Sequence, residues 1–249
     1  MLLLIDIGNT EVKIGVSDGG EIKNKYRLAT IASSSGDEYA IKIKSLVGNN
    51  DFEGAVISSV VPTLTTKFRL MFKNHFKIDP IIIGPGIKTG IKIKTDNPKE
   101  VGSDLIACAI GALNLYGTDT LVIDLGTATK FIHTKNATLD GVVIGTGIEV
   151  SAKALTNSAS LLPGFELKAP KKILGTNTIE CLQSGLVYGA ASMIDGMVYR
   201  IKKEVRNDNM KVIITGGLSK LVNNYCYQEM TYDENLLLKG LEIIYNLNK

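Results

Sequence analysis

The chain has 249 residues, of which 45% are hydrophobic and 21% are charged, a balance typical of a globular protein with a substantial core. Its formal net charge of +3 is too small to indicate a nucleic-acid partner, and its lysines occur in scattered pairs that are typical of a solvated surface. No stretch reaches the roughly 18 consecutive apolar residues that a transmembrane helix needs, so we expect no membrane partner.

The N-terminal stretch predicts a buried strand that ends in an acidic turn. Residues 2–7 are apolar except for Asp6, and Gly8, Asn9 and Thr10 follow. Gly8 allows the backbone to turn with its N–H groups exposed, and the next two side chains add hydrogen-bond donors. Such a turn suits phosphate oxygens, with Asp6 holding a hydrated Mg²⁺ beside them, whereas an ordinary hairpin turn is the alternative.

The residues after this turn predict the rest of a first α/β unit. Residues 11–29 predict two strands joined by a D-G-G hairpin, which completes a meander of three strands. A helix over residues 37–47 and a buried strand over residues 55–61 follow. Lys13 is close enough to the acidic turn to reach a phosphate, although a surface lysine on a strand explains it equally well.

The next stretch leads to a second candidate carboxylate. It predicts a helix over residues 63–76, a short strand over residues 80–83, and a turn-rich passage that enters a helix of small residues over 105–115. Asp104 falls in the first turn of that last helix, where the positive end of the helix dipole favours a carboxylate. Asp104 is therefore either a capping residue or a general base that takes a proton from an alcohol.

The second half of the chain repeats the acidic turn. An apolar strand over residues 121–123 leads into Asp124, and Gly126 and Thr127 follow it. Asp124 lies 118 residues after Asp6, close to half the length of the chain. The repetition favours two related domains over one large domain.

A late apolar strand over residues 212–214 runs into Gly216 and Gly217. Two acidic turns followed by a strand and a glycine pair resemble the actin-like ATPase superfamily. The resemblance implies an α/β fold of two duplicated ribonuclease-H-like domains, over residues 1–117 and 118–249. It also implies an interdomain cleft in which ATP phosphates lie between the acidic turns and the adenosine lies near the glycine pair.

Two helices are predicted between these motifs. A strand over residues 141–147 enters a glycine-opened turn and a helix over residues 149–161, which suits either a phosphate contact or a tight strand-to-helix connection. A capping region over residues 176–178 precedes a long helix over residues 179–205. That helix carries several glycines, which allow close approach to another helix, either within the chain or across a two-fold axis.

The numbers of cysteines and histidines exclude several kinds of site. Cys108, Cys181 and Cys226 lie far apart and form neither a metal-binding spacing nor a disulfide framework. With two histidines, a histidine-rich metal centre is excluded. The N-terminus has no basic leader, and Asp6 interrupts its apolar run, so we expect no signal peptide and a cytoplasmic location.

Five motifs resemble type III pantothenate kinases, in matching order over residues 1–249. They are V-I-S-S-V-V-P from Val56, D-N-P-x-E-V-G-x-D from Asp96, V-I-D-x-G-T-A-T from Val122, G-x-N-T-x-E-x-x-Q-S-G from Gly175, and L-x-G-L-x-x-I-Y from Leu238. The resemblance implies phosphorylation of pantothenate to 4′-phosphopantothenate, the first step of coenzyme A biosynthesis. It also implies a homodimer that uses ATP, Mg²⁺ and a monovalent cation, K⁺ or NH₄⁺.

The same resemblance implies a role for each matching residue. Asp104 matches the general base, Asp6 a metal ligand, and Asp124 the ligand of the monovalent cation. The residues that match nucleotide contacts are Asp6, Gly8, Asn9, Thr10, Lys13, Gly126, Thr127, Gly216 and Gly217. Those at substrate-binding positions are Thr95, Gly102, Ser103, Asp104, Leu105 and Thr178, the last reached across the dimer interface.

Several residues depart from the family pattern near the acceptor. Thr95 replaces a tyrosine, and Leu105 replaces an arginine that would pair with a carboxylate on the substrate. Lys130 replaces a threonine, and either restores the missing positive charge or lies on the surface. Two alternatives follow from these changes: a kinase of the same family for another small alcohol, or a non-catalytic regulatory paralogue. Retention of all three aspartates favours an enzyme.

Overall fold

A computed structural model of the chain describes residues 1–48, 50–159 and 162–249. Within these residues the chain forms eleven strands and seven α-helices, and none of the helices is long and apolar enough to cross a membrane. The elements of the first half are β1 (Leu2–Ile7), β2 (Glu11–Asp18), β3 (Glu21–Ala29), α1 (Gly36–Val47), β4 (Gly54–Ser59), α2 (Pro62–Met71), a π-helical segment (Phe72–Phe76), β5 (Ile81–Ile82), β6 (Lys92–Ile93), a 3₁₀ turn (Pro98–Glu100) and α3 (Ser103–Tyr116). Those of the second half are β7 (Asp119–Leu125), β8 (Ala128–Lys135), β9 (Thr138–Thr146), α4 (Ile148–Ser158), α5 (Thr178–Val205), β10 (Lys211–Thr215), α6 (Ser219–Asn223), β11 (Thr231–Tyr232) and α7 (Leu236–Asn248).

The first compact unit consists of residues 1–115, 137–140 and 235–249. Its sheet has the order β3-β2-β1-β4-β5, in which β2 is antiparallel to both of its neighbours and β4 is parallel to β1 and β5. Strand β1 lies at the centre, and all six of its residues are buried, as expected for a strand covered on both faces. Alternate residues of β1 share a core with α1 and α2, which contains Leu3, Ile5, Ile7, Tyr39, Ile43, Leu64 and Phe68.

The second compact unit consists of residues 116–136 and 141–234. The second sheet has six strands, of which five have the order β9-β8-β7-β10-β11 and so repeat the order of the first sheet; the two-residue strand β6 pairs with β9 at the edge. Strand β7 is antiparallel to β8 and parallel to β10, as β1 is to β2 and β4. Strands β2 and β8 also match in length, at eight residues, and in their pattern of buried positions. The predicted duplication of an α/β fold is confirmed.

The structure defines the bounds or the capping of three of the predicted helices. The helix predicted over residues 63–76 is α-helical from Pro62 to Met71 and continues as the π-helical segment. The helix predicted over residues 149–161 corresponds to α4, and its predicted end lies outside the described residues. The capping region before α5 is confirmed, because the Asn177 side chain accepts a hydrogen bond of 3.0 Å from the N–H of Glu180.

The C-terminal helix α7 belongs to the first unit, where it crosses α3 with backbone against backbone. A Cβ atom at Gly240 would overlap the carbonyl group of Ala107, and one at Gly111 would lie 2.6 Å from the carbonyl oxygen of Leu236. Helix α7 also packs against β1 and β4. Glycine is therefore required at both crossing positions for α7 to reach the sheet.

We expect Gly240→Ala to lower the free energy of unfolding by about 1–3 kcal/mol, because the added methyl group forces the two helices apart. A drop in melting temperature of roughly 2–4 °C per kcal/mol would report this loss. Gly84→Ala is the matched control, since its added Cβ would meet no atom within 4 Å. Equal melting temperatures for the two variants would contradict the proposed crossing.

Candidate active site

Asp6 lies near the end of β1, and its burial requires compensating partners. One carboxylate oxygen accepts a hydrogen bond of 2.9 Å from the Ser58 hydroxyl on β4. The other lies 3.7 Å from Nζ of Lys13, its cross-strand neighbour on β2. A buried carboxylate without such partners would be strongly unfavourable. Lys13 is therefore in contact with the acidic residue of the predicted phosphate turn.

Hydrogen bonds to the start of β2 and to the residue after β3 stabilise the turn that follows Asp6. The Gly8 N–H donates to the carbonyl oxygen of Glu11 at 2.9 Å, and the Thr30 hydroxyl donates to the carbonyl oxygen of Gly8 at 2.7 Å. The Thr30 N–H donates to the carbonyl oxygen of Thr10 at 2.9 Å. Asn9 and Thr10 remain exposed at the tip. The turn is thus held in shape while its tip faces solvent.

Two serine hydroxyls connect Asp6 to the start of α3, a link that the sequence did not predict. The Oγ atoms of Ser58 and Ser103 lie 3.0 Å apart, and Ser103 Oγ also accepts a hydrogen bond of 2.8 Å from the Ser59 N–H. Both Ser58 and Ser103 are buried. One indication of this link is present in the sequence, which is the pair of serines at the end of an otherwise apolar strand. Polar groups at the carboxyl ends of parallel strands commonly line ligand-binding sites.

Asp104 occupies the first turn of α3, as predicted, and is partly exposed. Its carboxylate lies over Gly102, where any side chain would collide with it. The positive end of a helix dipole interacts favourably with an acidic side chain in this turn. Because Ser103 anchors the same turn to Asp6 through Ser58, Asp104 is held in a fixed relation to the acidic turn.

The two altered residues of the predicted acceptor site differ in burial, because Thr95 is half-buried and Leu105 is buried. Leu105 is 8% exposed and packs within the apolar core. The hydroxyl oxygen of Thr95 is buried and has no hydrogen-bond partner among the described residues. Neither side chain supplies a positive charge, so these positions do not replace the family's arginine.

Asp124 is the counterpart of Asp6 in the second unit. Its side chain is 5% exposed, and it lies near the end of β7. Lys130 is its cross-strand neighbour on β8, with Nζ at 2.9 Å from a carboxylate oxygen and 18% of the side chain exposed. Lys130 is therefore paired with the acidic residue rather than lying on the open surface. This pair repeats the relation between Asp6 and Lys13.

The backbone after β10 and the start of α4 both lie against the second acidic turn. A Cβ atom at Gly216 would lie 2.6 Å from backbone atoms of Leu125 and 2.7 Å from the Asp124 carboxylate, and its φ of +100° also favours glycine. The Gly147 N–H donates to the carbonyl oxygen of Thr127 at 3.1 Å. Thr127 itself is exposed. Gly126 precedes it in the turn, and Gly217 follows Gly216 on the way to α6.

Thr178 is the first residue of α5, where it is exposed and belongs to neither of these clusters. The first turn of α5 is well ordered by side chains, because the Glu180 carboxylate accepts hydrogen bonds of 3.2 Å from the Thr176 N–H and hydroxyl. These bonds to Thr176 lower the pKa of Glu180. The structure thus brings together the predicted residues within each acidic cluster and leaves Thr178 on the surface.

The arrangement of carboxylates limits the kind of metal site that the chain can form. In the part of the chain that the structure describes, no group of three or more His, Cys, Asp or Glu side chains could hold a metal ion. Mg²⁺ commonly binds to one or two carboxylates and completes its shell with water and substrate phosphates. Asp6 beside an exposed turn fits that mode.

Known proteins similar to this chain support a kinase fold and family. The family model for type III pantothenate kinase matches residues 2–200. The type III pantothenate kinase of Acholeplasma laidlawii (strain PG-8A) is 46% identical over 248 residues, which cover 100% of this chain and 99% of that protein. The enzyme of the same name from Halalkalibacterium halodurans is 44% identical over 254 residues, with 100% of both chains covered.

Among solved structures, a ROK family glucokinase from Streptomyces griseus in complex with glucose and AMPPNP has a similar fold. The TM-score is 0.52 at 14% identity, over 98% of this chain and 99% of that chain. This likeness concerns the fold, and it agrees with the predicted pair of ribonuclease-H-like domains.

We expect Ser58→Ala to lower the free energy of unfolding by about 1.5–3 kcal/mol, since it removes a donor from a buried carboxylate. Urea unfolding would show a lower midpoint with an unchanged slope. Ser33→Ala, at an exposed serine, is the control and should leave the midpoint unchanged. An unchanged midpoint for Ser58→Ala would show that the serine does not stabilise Asp6.

Proposed function

This chain belongs to the type III pantothenate kinase family, and we propose that it transfers the γ-phosphoryl group of ATP to pantothenate, giving 4′-phosphopantothenate for coenzyme A biosynthesis. The observation that carries the proposal is identity of 46% to such an enzyme over the full chain. Phosphoryl transfer requires positioning and charge neutralisation more than covalent chemistry by the protein. Because the donor is ATP, we expect the reaction to take place in the cytoplasm.

Both acidic turns have the features of phosphate-binding loops. In the first, exposed Asn9 and Thr10 follow a buried Asp6, and we assign Asp6 to a Mg²⁺ ion that neutralises charge on the phosphates. In the second, the exposed Thr127 follows Asp124 and Leu125, and the backbone of Gly216 packs against these two residues. The nucleotide contacts assigned from these features are Asp6, Gly8, Asn9, Thr10, Lys13, Gly126, Thr127, Gly216 and Gly217.

Asp104 is the residue we assign as general base toward the pantothenate hydroxyl. It is partly exposed, and it lies in the first turn of α3, where the helix dipole favours an acidic side chain. The hydroxyls of Ser58 and Ser103 fix its turn relative to Asp6. A carboxylate held in this way can align the attacking oxygen and accept its proton.

Recognition of the acceptor is where this chain departs from its family. Thr95, Gly102, Ser103 and Leu105 occupy the substrate-binding positions of the family pattern. Ser103 is engaged with Ser59, and Leu105 is buried in the core, so neither offers a charged contact. Loss of one charge-assisted hydrogen bond weakens binding by about 1.5–3 kcal/mol, roughly ten- to a hundred-fold. We therefore propose that the carboxylate of pantothenate contributes little to its recognition here.

The outer face of α5 supports a homodimer. Gly185, Gly189 and Gly196 are exposed, and a Cβ atom at any of them would meet nothing within 4 Å. Each glycine within a helix lowers stability by about 0.5–1 kcal/mol relative to alanine, and the chain itself gives no packing reason for them. We propose that the same face of a second copy packs there. Thr178 lies two helical turns before Gly185 and so shares this face.

We expect Asp104→Asn to reduce the turnover number about 10²- to 10⁴-fold, because the amide cannot accept the proton. ADP release would be measured with ATP and Mg²⁺, with and without pantothenate. Asp79→Asn, at an exposed ion-paired aspartate, is the control and should keep full activity. Unchanged turnover for Asp104→Asn would exclude Asp104 as the base.

The same assay separates the rival functions. Comparable turnover of pantothenate and of its alcohol analogue, which lacks the carboxylate, would support the proposal that the carboxylate contributes little to recognition, as the buried Leu105 indicates. Turnover with another small alcohol but not with pantothenate would mean that the acceptor site has changed its substrate. ATP binding without turnover of any acceptor would indicate a regulatory paralogue.

We expect Gly189→Leu to convert the dimer into a monomer, because a bulky side chain blocks close approach of two helices. Light scattering after size-exclusion chromatography would measure the mass. Gly189→Ala is the matched control, since its small side chain should preserve the dimer. A monomeric parent protein, or a dimeric Gly189→Leu variant, would refute this interface.

A further inference from the structure

The monovalent cation that the family resemblance assigns to Asp124 does not fit the residues of this chain. The Lys130 ammonium lies 2.9 Å from the Asp124 carboxylate and already brings one positive charge to it. A second cation at the same carboxylate would meet a like charge at short range. We propose that the Lys130 ammonium takes the place of K⁺ or NH₄⁺, so that the enzyme works without either ion.

The duplicated fold provides an internal comparison for this pair. Lys13 and Lys130 are the cross-strand neighbours of Asp6 and Asp124, respectively, at corresponding positions in the two sheets. In the first pair the charged atoms are 3.7 Å apart and the lysine side chain is 32% exposed. In the second they are 2.9 Å apart and the lysine is 18% exposed. The charged atoms of the second pair are thus closer together, and its lysine is less exposed to solvent, as expected for a fixed counter-ion rather than a solvated lysine.

The position of the pair explains why a positive charge is needed there. Asp124 is buried two residues before Gly126, which we assign with Thr127 to ATP. An uncompensated carboxylate at this point would repel the phosphates and would be unfavourable in the folded chain. A free ion can neutralise it only while bound, whereas a lysine on a strand is always present. This inference rests on the proposed function for its relation to catalysis.

The experiment compares the parent protein with Lys130→Thr, Lys130→Arg and Lys135→Thr. Lys135 is an exposed lysine at the end of the same strand and serves as the control for loss of one charge. Pantothenate-dependent ADP release is measured with choline as the added cation, and again with K⁺ or NH₄⁺ replacing choline at equal ionic strength. Melting temperatures are recorded in the same buffers without substrates.

We expect the parent protein and Lys135→Thr to have the same activity in every buffer, and we expect the activity of Lys130→Arg not to respond to K⁺ or NH₄⁺, because its side chain still carries a positive charge. Lys130→Thr should lose about ten- to a hundred-fold in choline and recover with K⁺ or NH₄⁺. K⁺ should also raise the melting temperature of Lys130→Thr alone, since a ligand that binds only the folded state stabilises it. A merely structural role for Lys130 would not create a response to a monovalent cation.

Activation of the parent protein by K⁺ or NH₄⁺ would overturn the proposal. A Lys130→Thr variant that responds to neither ion, in activity or in melting temperature, would also overturn it. Absence of pantothenate turnover by the parent protein in all buffers would instead refute the proposed function. In that case the response of the melting temperatures to K⁺ still decides whether Lys130 replaces a cation.

Discussion

The architecture depends on two buried carboxylates, each near the end of the central strand of its sheet. Asp6 and Asp124 are about 5% exposed, and such groups are tolerated only where charges or hydrogen bonds compensate them. The cross-strand lysine in each unit follows from this constraint, as does the buried Ser58 beside Asp6. Placing carboxylates at strand ends also leaves them beside turns whose tips face solvent. Under the proposed function, this placement also presents both turns to the phosphates of ATP.

Hydrogen bonds and close backbone contacts fix the residues around these strand ends. Serine hydroxyls tie the start of α3 to Asp6, and this link fixes Asp104 without using Asp104 itself. In the second unit the backbone at Gly216 touches the Asp124 turn, so no side chain separates the two loops. In the proposed reaction, such contacts would hold the assigned residues in position, and positioning is the main contribution that a protein makes to phosphoryl transfer. The crossing of α3 and α7 extends the same support to the helix that carries Asp104.

The sequence predicted the features that depend on local patterns and did not predict the contacts between residues that are distant along the chain. Apolar runs, turn residues and the repeated acidic motif were sufficient for the two α/β units, the capping of α5 and the position of Asp104 in a first turn. They did not predict the Ser58–Ser103 link, because a serine at a strand end gives no indication of its partner. The pairing of Lys130 with Asp124 was missed for a related reason. Five residues separate Asp124 from Lys130, and whether they are cross-strand neighbours depends on the length of the turn, which the sequence alone does not give.

The two departures from the family pattern that involve charge are therefore independent of each other. Leu105 takes the place of the arginine in the family pattern, and Lys130 adds a positive charge beside Asp124. An ammonium ion paired at 2.9 Å with a buried carboxylate has little net charge left to attract a substrate. Lys130 thus cannot compensate for Leu105 while it neutralises Asp124. Under the proposed function, the carboxylate of pantothenate therefore lacks the charged partner that the family pattern provides, and neither Leu105 nor Lys130 restores it.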